Sequence, residues 1–215
     1  MHLEHVWPLF GLVIETPRLV LRPIRDSDLP ELARAALAGV HDPERTPFGF
    51  PWTDAAPEAL PGNLAAYQWG LRSGLSPQHW TIPFGVHFEG RLVGSQDLAA
   101  FDFANRRTVN TGSWLTQEAQ GRGLGTEMRA ALLLFAFDTL GAEWAESSAA
   151  AWNIASLAVS RKLGYECNGV TRVSPRPGEP VDQQSVRLDK REFVRPSWNI
   201  SVDGATPALK QLGVI

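Results

Sequence analysis

The stretch Gln120-Gly121-Arg122-Gly123-Leu124-Gly125-Thr126 decides how the rest of the chain is read. It follows Thr108 to Leu115, which has strand character with Gly112 as a bulge site. It opens a segment, Gly123 to Leu140, in which Leu124, Met128, Ala131, Leu132 and Phe135 recur at helical spacing. Leu133, Leu134 and Phe137 fill the other side, so this helix is expected to be buried on most faces. A strand, a glycine-rich turn and a buried helix together make a phosphate site. The first N–H groups of a helix lack intrahelical acceptors, the macrodipole adds partial positive charge there, and glycines let the backbone approach the anion closely.

The kind of phosphate ligand narrows by elimination. A P-loop requires lysine and then Ser or Thr after its last glycine, whereas Gly125 is followed by Thr126-Glu127. A dinucleotide fingerprint requires G-x-G-x-x-G near the start of a βαβ series. Here the third glycine comes one position early, and several strands precede it. What remains is Q-x-x-G-x-G between a mixed-sheet strand and a helix.

Working outward, Glu143 to Ala149 suits a short strand. Asn153 can N-cap a helix that runs to Leu163 and stops at Gly164. Asn168 to Val173 and Gln183 to Leu188 form a closing pair of strands around a proline-containing connection. Upstream, Ile82, Phe84, Val86 and Phe88 alternate as in a half-buried strand, turning at Glu89-Gly90 into Arg91 to Leu98. Pro17 to Pro23 reads as a first strand. Asp26 and Asp28 offer N-caps for a helix whose Leu29, Leu32, Ala33, Ala36 and Val40 share one face. Leu60 to Leu71 supplies a second helix. Pro43, Pro47, Pro51 and Pro57 make the intervening stretch a loop that displays Phe48, Phe50 and Trp52. The order is strand, two helices, three strands, helix, strand, helix, two strands: an α/β fold with a mixed, mostly antiparallel sheet flanked by helices.

Two blocks in register, Gln120/Gly123/Gly125 and Asn153-Ile154-Ala155-Ser156 with Leu163-Gly164-Tyr165, resemble the acetyl-CoA loop and following helix of the GNAT N-acetyltransferase superfamily. Thr16-Pro17-Arg18-Leu19-Val20-Leu21-Arg22-Pro23 and Gly112-Ser113-Trp114-Leu115 are similar to the branch that holds the ribosomal-protein N-terminal (Rim-type) enzymes. The resemblance implies a single acyl-CoA-binding domain over residues 1–190. The extension 191–215 would pack on it or at a dimer interface. It implies that the central strands splay near Leu115 and Ala149 to admit the pantetheine arm, with the Leu115 N–H beside the thioester carbonyl. Coenzyme contacts are then expected from Trp114, Leu115, Thr116, Gln120, Gly121, Arg122, Gly123, Leu124, Gly125, Thr126, Asn153 and Ser156. The implied activity is acetyl transfer from acetyl-CoA to a primary amine by direct attack through a tetrahedral intermediate. A regulatory acyl-CoA-binding protein with little or no catalysis is the alternative.

The alternative rests on one position. Four residues before Gly164, where many of these enzymes carry a tyrosine acid, this chain has Ser160. Ser156, one helical turn earlier, is a second group for the coenzyme sulfur, and each serine has a structural reading as a bond to the carbonyl four residues back. Glu146 and Asp97 are the carboxylates placed on strands toward a central cleft, each with an exposed-strand alternative. Phe48, Phe50 and Trp52 are expected to wall the acceptor site or to form a hydrophobic lid. The acceptor stays open among a protein N-terminus, a lysine, an antibiotic or polyamine, and a small metabolite, with the Rim-type similarity favouring an α-amino group.

Bulk properties agree. The chain has 215 residues, 44% hydrophobic and 20% charged, with a net charge of −3. No global basic field invites nucleic acid. The single cysteine, Cys167, rules out an intramolecular disulfide and reads as a packing residue, and no His/Cys spacing suggests a metal. His87 is expected to turn away from its strand's apolar face. Met1-His2-Leu3-Glu4-His5 has no leader pattern and no run reaches the roughly 18 apolar residues of a membrane span, so a soluble cytoplasmic protein is expected.

Overall fold

The computed structural model describes all 215 residues. A short helix α1 (Leu3–Val6) leads into strands β1 (Val13–Glu15) and β2 (Leu19–Pro23), then helices α2 (Leu29–Leu37) and α3 (Leu60–Ser73). Strands β3 (His79–Phe88) and β4 (Arg91–Phe101), a single-turn helix α4 (Phe103–Arg106) and strand β5 (Thr108–Leu115) follow. Helix α5 (Leu124–Leu134) then continues through a wider turn at Phe135–Leu140. Strand β6 (Trp144–Ala150), helix α6 (Ile154–Lys162), the hairpin β7 (Glu166–Arg176) and β8 (Glu179–Asp189), strand β9 (Ser201–Asp203) and helix α7 (Ala205–Gln211) complete the chain.

Nine strands form one sheet in the order β7-β8-β6-β5-β4-β3-β2-β1-β9. Every neighbouring pair is antiparallel except β5 and β6. That is the mixed, mostly antiparallel sheet the sequence implies. The Glu89-Gly90 turn takes positive φ at both residues, 50° and 76°, as a two-residue hairpin turn matching strand twist requires. The β3–β4 register shifts at Val86/His87, whereas β4–β5 is regular through Asp97↔Gly112, so the bulge expected at Gly112 lies elsewhere.

One sheet face carries the main core. Helix α5 packs there with Leu124, Met128 and the run Ala130 to Phe137 buried, in one cluster with Leu21, Phe84, Leu98, Val109 and Leu115. Each such leucine or phenylalanine contributes about 1.5–3 kcal/mol through burial, which fixes where the first turn of α5 must sit. The other face carries a smaller cluster of Ile24, Leu32, Ala35 and Leu92, on which Trp114 packs. Residues 191–215 belong to the same body: β9 pairs with β1, and Phe193, Ala208, Leu209 and Leu212 lie in the main core. Strands β1 and β9 have three residues each, too few for an alternation to register in sequence. Cys167 is exposed on edge strand β7, where no element covers it, so it is not the packing residue expected from sequence. His87 turns away from the core and rests half-buried beside Arg22.

Candidate active site

Gly121 and Gly123 take φ of 72° and 80°, a conformation that glycine reaches without strain, and Gly123 caps α5. The Glu127 N–H bonds the Gly123 carbonyl at 3.2 Å. The amides of Leu124, Gly125 and Thr126 precede it, and the first turn of a helix gives them no intrahelical acceptor. They form a three-amide cradle at the positive end of an 11-residue helix.

Two devices hold the cradle still. The Gln120 amide donates to the carbonyls of Val40 (2.7 Å) and Leu115 (2.9 Å), tying the loop to the end of β5 and to the segment after α2. Its side-chain donors are thereby engaged by protein. On the far side, the buried Glu127 carboxylate accepts from Thr16 Oγ1 (2.6 Å), Arg18 N (3.1 Å) and Arg18 Nε (2.6 Å), while Arg18 Nη1 reaches the Arg122 carbonyl at 3.1 Å. The Thr16-Pro17-Arg18 motif is thus a clamp on the glycine loop. The exposed Arg122 guanidinium lies 4.6 Å from the Phe88 ring centroid, and the Leu124 side chain is wholly buried, leaving only its backbone at the loop.

Beyond Thr111↔Ser147 the parallel pairing of β5 and β6 stops. From there β5 stays on β4 as far as Gly94↔Leu115, and β6 stays on β8 as far as Ala150↔Gln183. The Thr116 N–H bonds the Val93 carbonyl at 2.8 Å, making that a hydrogen-bonded pair. By antiparallel alternation, the N–H groups of Ser113 and Leu115 then point away from β4, into the gap. Gly94 permits this close approach: a Cβ there would fall 2.2 Å from the Trp114 carbonyl oxygen.

The gap opens into a cleft of about 880 Å³. Of the residues expected at a coenzyme site, it gathers Trp114, Leu115, Gln120, Gly121, Gly123, Gly125, Thr126, Asn153 and Ser156. Asn153 Oδ1 accepts from the Ser156 N–H at 3.2 Å and so caps α6. Thr116, Leu124 and Ser160 are buried behind this lining, and Arg122 is exposed to solvent beside it. The aromatic loop closes one wall with Phe48, backed by Trp52, whose ring packs tilted between Phe48 (5.2 Å between centroids, 45°) and Trp114 (5.5 Å, 49°), while Phe50 is 73% exposed to solvent. Arg176 of β7 anchors this loop through two bonds to the Asp54 carboxylate, at 2.6 and 2.8 Å, and one of 2.9 Å to the Pro43 carbonyl.

The two carboxylates lie on the sheet face opposite α5. Asp97 pairs with Gly112 at the start of the splay, its Oδ2 4.0 Å from where a Gly112 Cβ would stand, and it lies just outside the residues that line the cleft. Burial pushes its pKa up to about 7, with Ser95 only partly opposing. Burial and then the Asp97 charge push the Tyr67 phenol of α3 up to about 12. Glu146 pairs with Asn110 across β5–β6 and sits 3.8 Å from Arg187 Nε, whose guanidinium lies over Trp144.

Sequence reading missed Glu127, Arg129 and Lys162. Lys162 adds a cation to the cleft wall. The first two had a signal: Glu127-Met128-Arg129 puts opposite charges inside the most apolar helix of the chain, where each charge demands a partner.

The model for the acetyltransferase (GNAT) domain matches residues 18–166, from Arg18 of the clamp through the cradle and both splayed strands. The chain belongs to the GNAT family. It is 31% identical over 91 residues to YdaF of Bacillus subtilis (strain 168), named as a candidate ribosomal N-acetyltransferase. That match covers 42% of this chain and 49% of the relative, so the chain spans about half the length of the curated relative it matches. Among solved structures, Mycobacterium smegmatis RimJ in complex with CoA-disulfide superposes with a TM-score of 0.71 over 96% of each chain at 22% identity. RimL, a ribosomal alpha-N-protein acetyltransferase in complex with coenzyme A, gives 0.63 over 82% of this chain and 97% of its own at 18% identity. These likenesses establish the GNAT fold. No helix is long and apolar enough to cross a membrane.

Proposed function

We propose that this GNAT chain transfers an acetyl group from acetyl-CoA to the α-amino group of a cytoplasmic protein. The observation that carries the reading is the three-amide cradle of α5 opening directly into the β5–β6 gap. The cradle suits the coenzyme pyrophosphate. The gap, with the N–H groups of Ser113 and Leu115 turned into it, suits the amide-bearing pantetheine arm as a strand-like guest. The Leu115 N–H then faces the thioester carbonyl and stabilises the oxyanion as the amine attacks. Asp97, with a pKa raised to about 7, is the base best matched to take the amine proton near neutral pH. Holding both reactants in line supplies much of the remaining rate. The similarity to YdaF, and the fold shared with RimJ and RimL, favour a protein amine as acceptor, and Phe48, Trp52 and Trp114 form an aromatic wall for its first side chains.

The test is thermal stability with saturating acetyl-CoA, coenzyme A, NAD and ATP. A ligand at about 100 times its dissociation constant adds roughly 2.7 kcal/mol. Acetyl-CoA and coenzyme A are expected to stabilise the protein and NAD and ATP to leave it unchanged, with the effect lost in Gly123→Asp. Acetylation of peptides with free, but not blocked, N-termini then tests the acceptor. No shift with either coenzyme sinks the proposal.

A further inference from the structure

Arg129 is 4% exposed and lines the cleft from the second turn of α5, yet it has no carboxylate partner. Its Nη1 donates to Ser160 Oγ at 2.9 Å and its Nη2 to Ser113 Oγ at 3.4 Å, while Nε is buried with no partner. The remaining neighbour is the buried Tyr165 phenol, whose pKa burial raises, with the Arg129 charge opposing. The other charged groups around the cleft, His41, Asp42, Arg45 and Lys162, make neither a hydrogen bond nor an ion pair with it. A buried guanidinium held only by hydroxyls is costly unless an anion joins it.

The position says which anion. Arg129 lies four residues, about one turn, beyond Gly125 on the same helix face and touches Ser113 on the splayed part of β5. It therefore lies deeper than the cradle, at the end of the gap where the thioester would stand. Ser160 does not line the cleft. Its oxygen accepts from Arg129 and its hydroxyl donates to the Ser156 carbonyl at 3.2 Å. The serine at the position of the tyrosine acid is thus occupied in holding an arginine.

We infer that Arg129 stabilises the coenzyme thiolate as it leaves, replacing proton donation by a tyrosine with ion pairing to a guanidinium. This rests on the proposed coenzyme site. The amine nitrogen bonds to the thioester carbon, the C–S bond breaks, and its electron pair goes to sulfur. The thiolate departs as an anion paired with Arg129, and the amine proton goes to Asp97 or water. Sulfur gains its proton from solvent after release, so no acid is needed at Ser160. Arg129 is a catalytic residue in this scheme, and Ser160 and Ser113 position it.

The experiment compares binding of coenzyme A and desulfo-coenzyme A at pH 6 and pH 9, by calorimetry, to the wild type, Arg129→Gln and Arg129→Lys. If the guanidinium lowers the bound thiol by about one pH unit, coenzyme A gains several-fold over desulfo-coenzyme A between these pH values, because the bound thiol ionises before the free one. The expected result is this gain in the wild type, retention of most of it in Arg129→Lys, and its loss in Arg129→Gln with desulfo-coenzyme A still bound. Should Arg129→Gln fail to fold, the wild-type comparison decides. A ratio independent of pH in the wild type overturns the inference, as does an undiminished gain in Arg129→Gln. Equal weakening of both ligands in Arg129→Gln places the guanidinium on the pyrophosphate and also overturns it. Failure of both ligands to bind the wild type refutes the coenzyme site itself, a distinct outcome.

Discussion

Replacing Asp97 by asparagine tests the base and the fold in one variant. The folded carboxyl titrates at about 7 against an ordinary value of 3.8 because burial disfavours its charge. Below pH about 4 both folded and unfolded states hold the proton. Between about 4 and 7 the folded state alone keeps it, so stability falls as pH rises through that window and levels above it. At about 1.36 kcal/mol per pH unit, the wild type loses about 3 kcal/mol between pH 5 and pH 8 through this group. Asp97→Asn keeps the shape without the ionisation, so its stability should be nearly flat over the same window after subtraction of the shared background. Urea unfolding at the two pH values reads the difference. Activity should behave oppositely. The wild-type rate rises with pH through about 7 as the carboxylate forms, whereas Asp97→Asn loses that limb and about 10²–10⁴ in kcat. Parallel stability curves for the two proteins would refute the claim that the carboxyl is desolvated. A retained pH limb in the variant would remove Asp97 from the reaction while leaving the stability argument intact.

Glu127→Ala strips the clamp from the glycine loop. Breaking charge-assisted bonds to a half-exposed Arg18 is expected to cost about 2 kcal/mol, a fall in Tm of about 4–8 °C, together with weaker acetyl-CoA binding; unchanged affinity would show that the loop holds its shape unaided. Gly123→Ala forces an L side chain to φ 80°, costing about 1–2 kcal/mol and crowding the cradle. Gly125→Ala is helical, and its Cβ would meet Leu115 and Val159 at 3.9 Å, so stability should hold while coenzyme affinity drops; equal affinity in Gly125→Ala and wild type would place the pyrophosphate elsewhere. Arg176→Ala frees the loop of Phe48 and Trp52 from Asp54 and Pro43. It should raise the KM for the acceptor more than for acetyl-CoA and speed proteolysis within residues 42–57; a KM effect confined to acetyl-CoA would assign that loop to the coenzyme.

Local sequence determined a good deal. Helical spacing from Leu124, glycines with nothing to strain, and an Asn153 whose side chain can reach only its own next turn are short-range facts, so the cradle, α5 and the α6 cap were legible residue by residue. Alternation in Ile82 to Phe88 was equally local. The tertiary structure alone decided what pairs with what across the chain. Thr16 and Arg18 meet Glu127 more than a hundred residues away, Arg176 reaches back to Asp54, and Gln120 spends its amide on Val40 and Leu115. The same holds for the environment of a charge. Asp97 and Glu146 read alike as strand carboxylates, yet burial above Gly112 raises one pKa to about 7 while the other lies beside Arg187. Arg129 reads as one more cation until folding removes it from water with only hydroxyls for company. Periodicity reports which face of an element is apolar. The desolvation and long-range pairing that set the chemistry depend on neighbours that no local window contains.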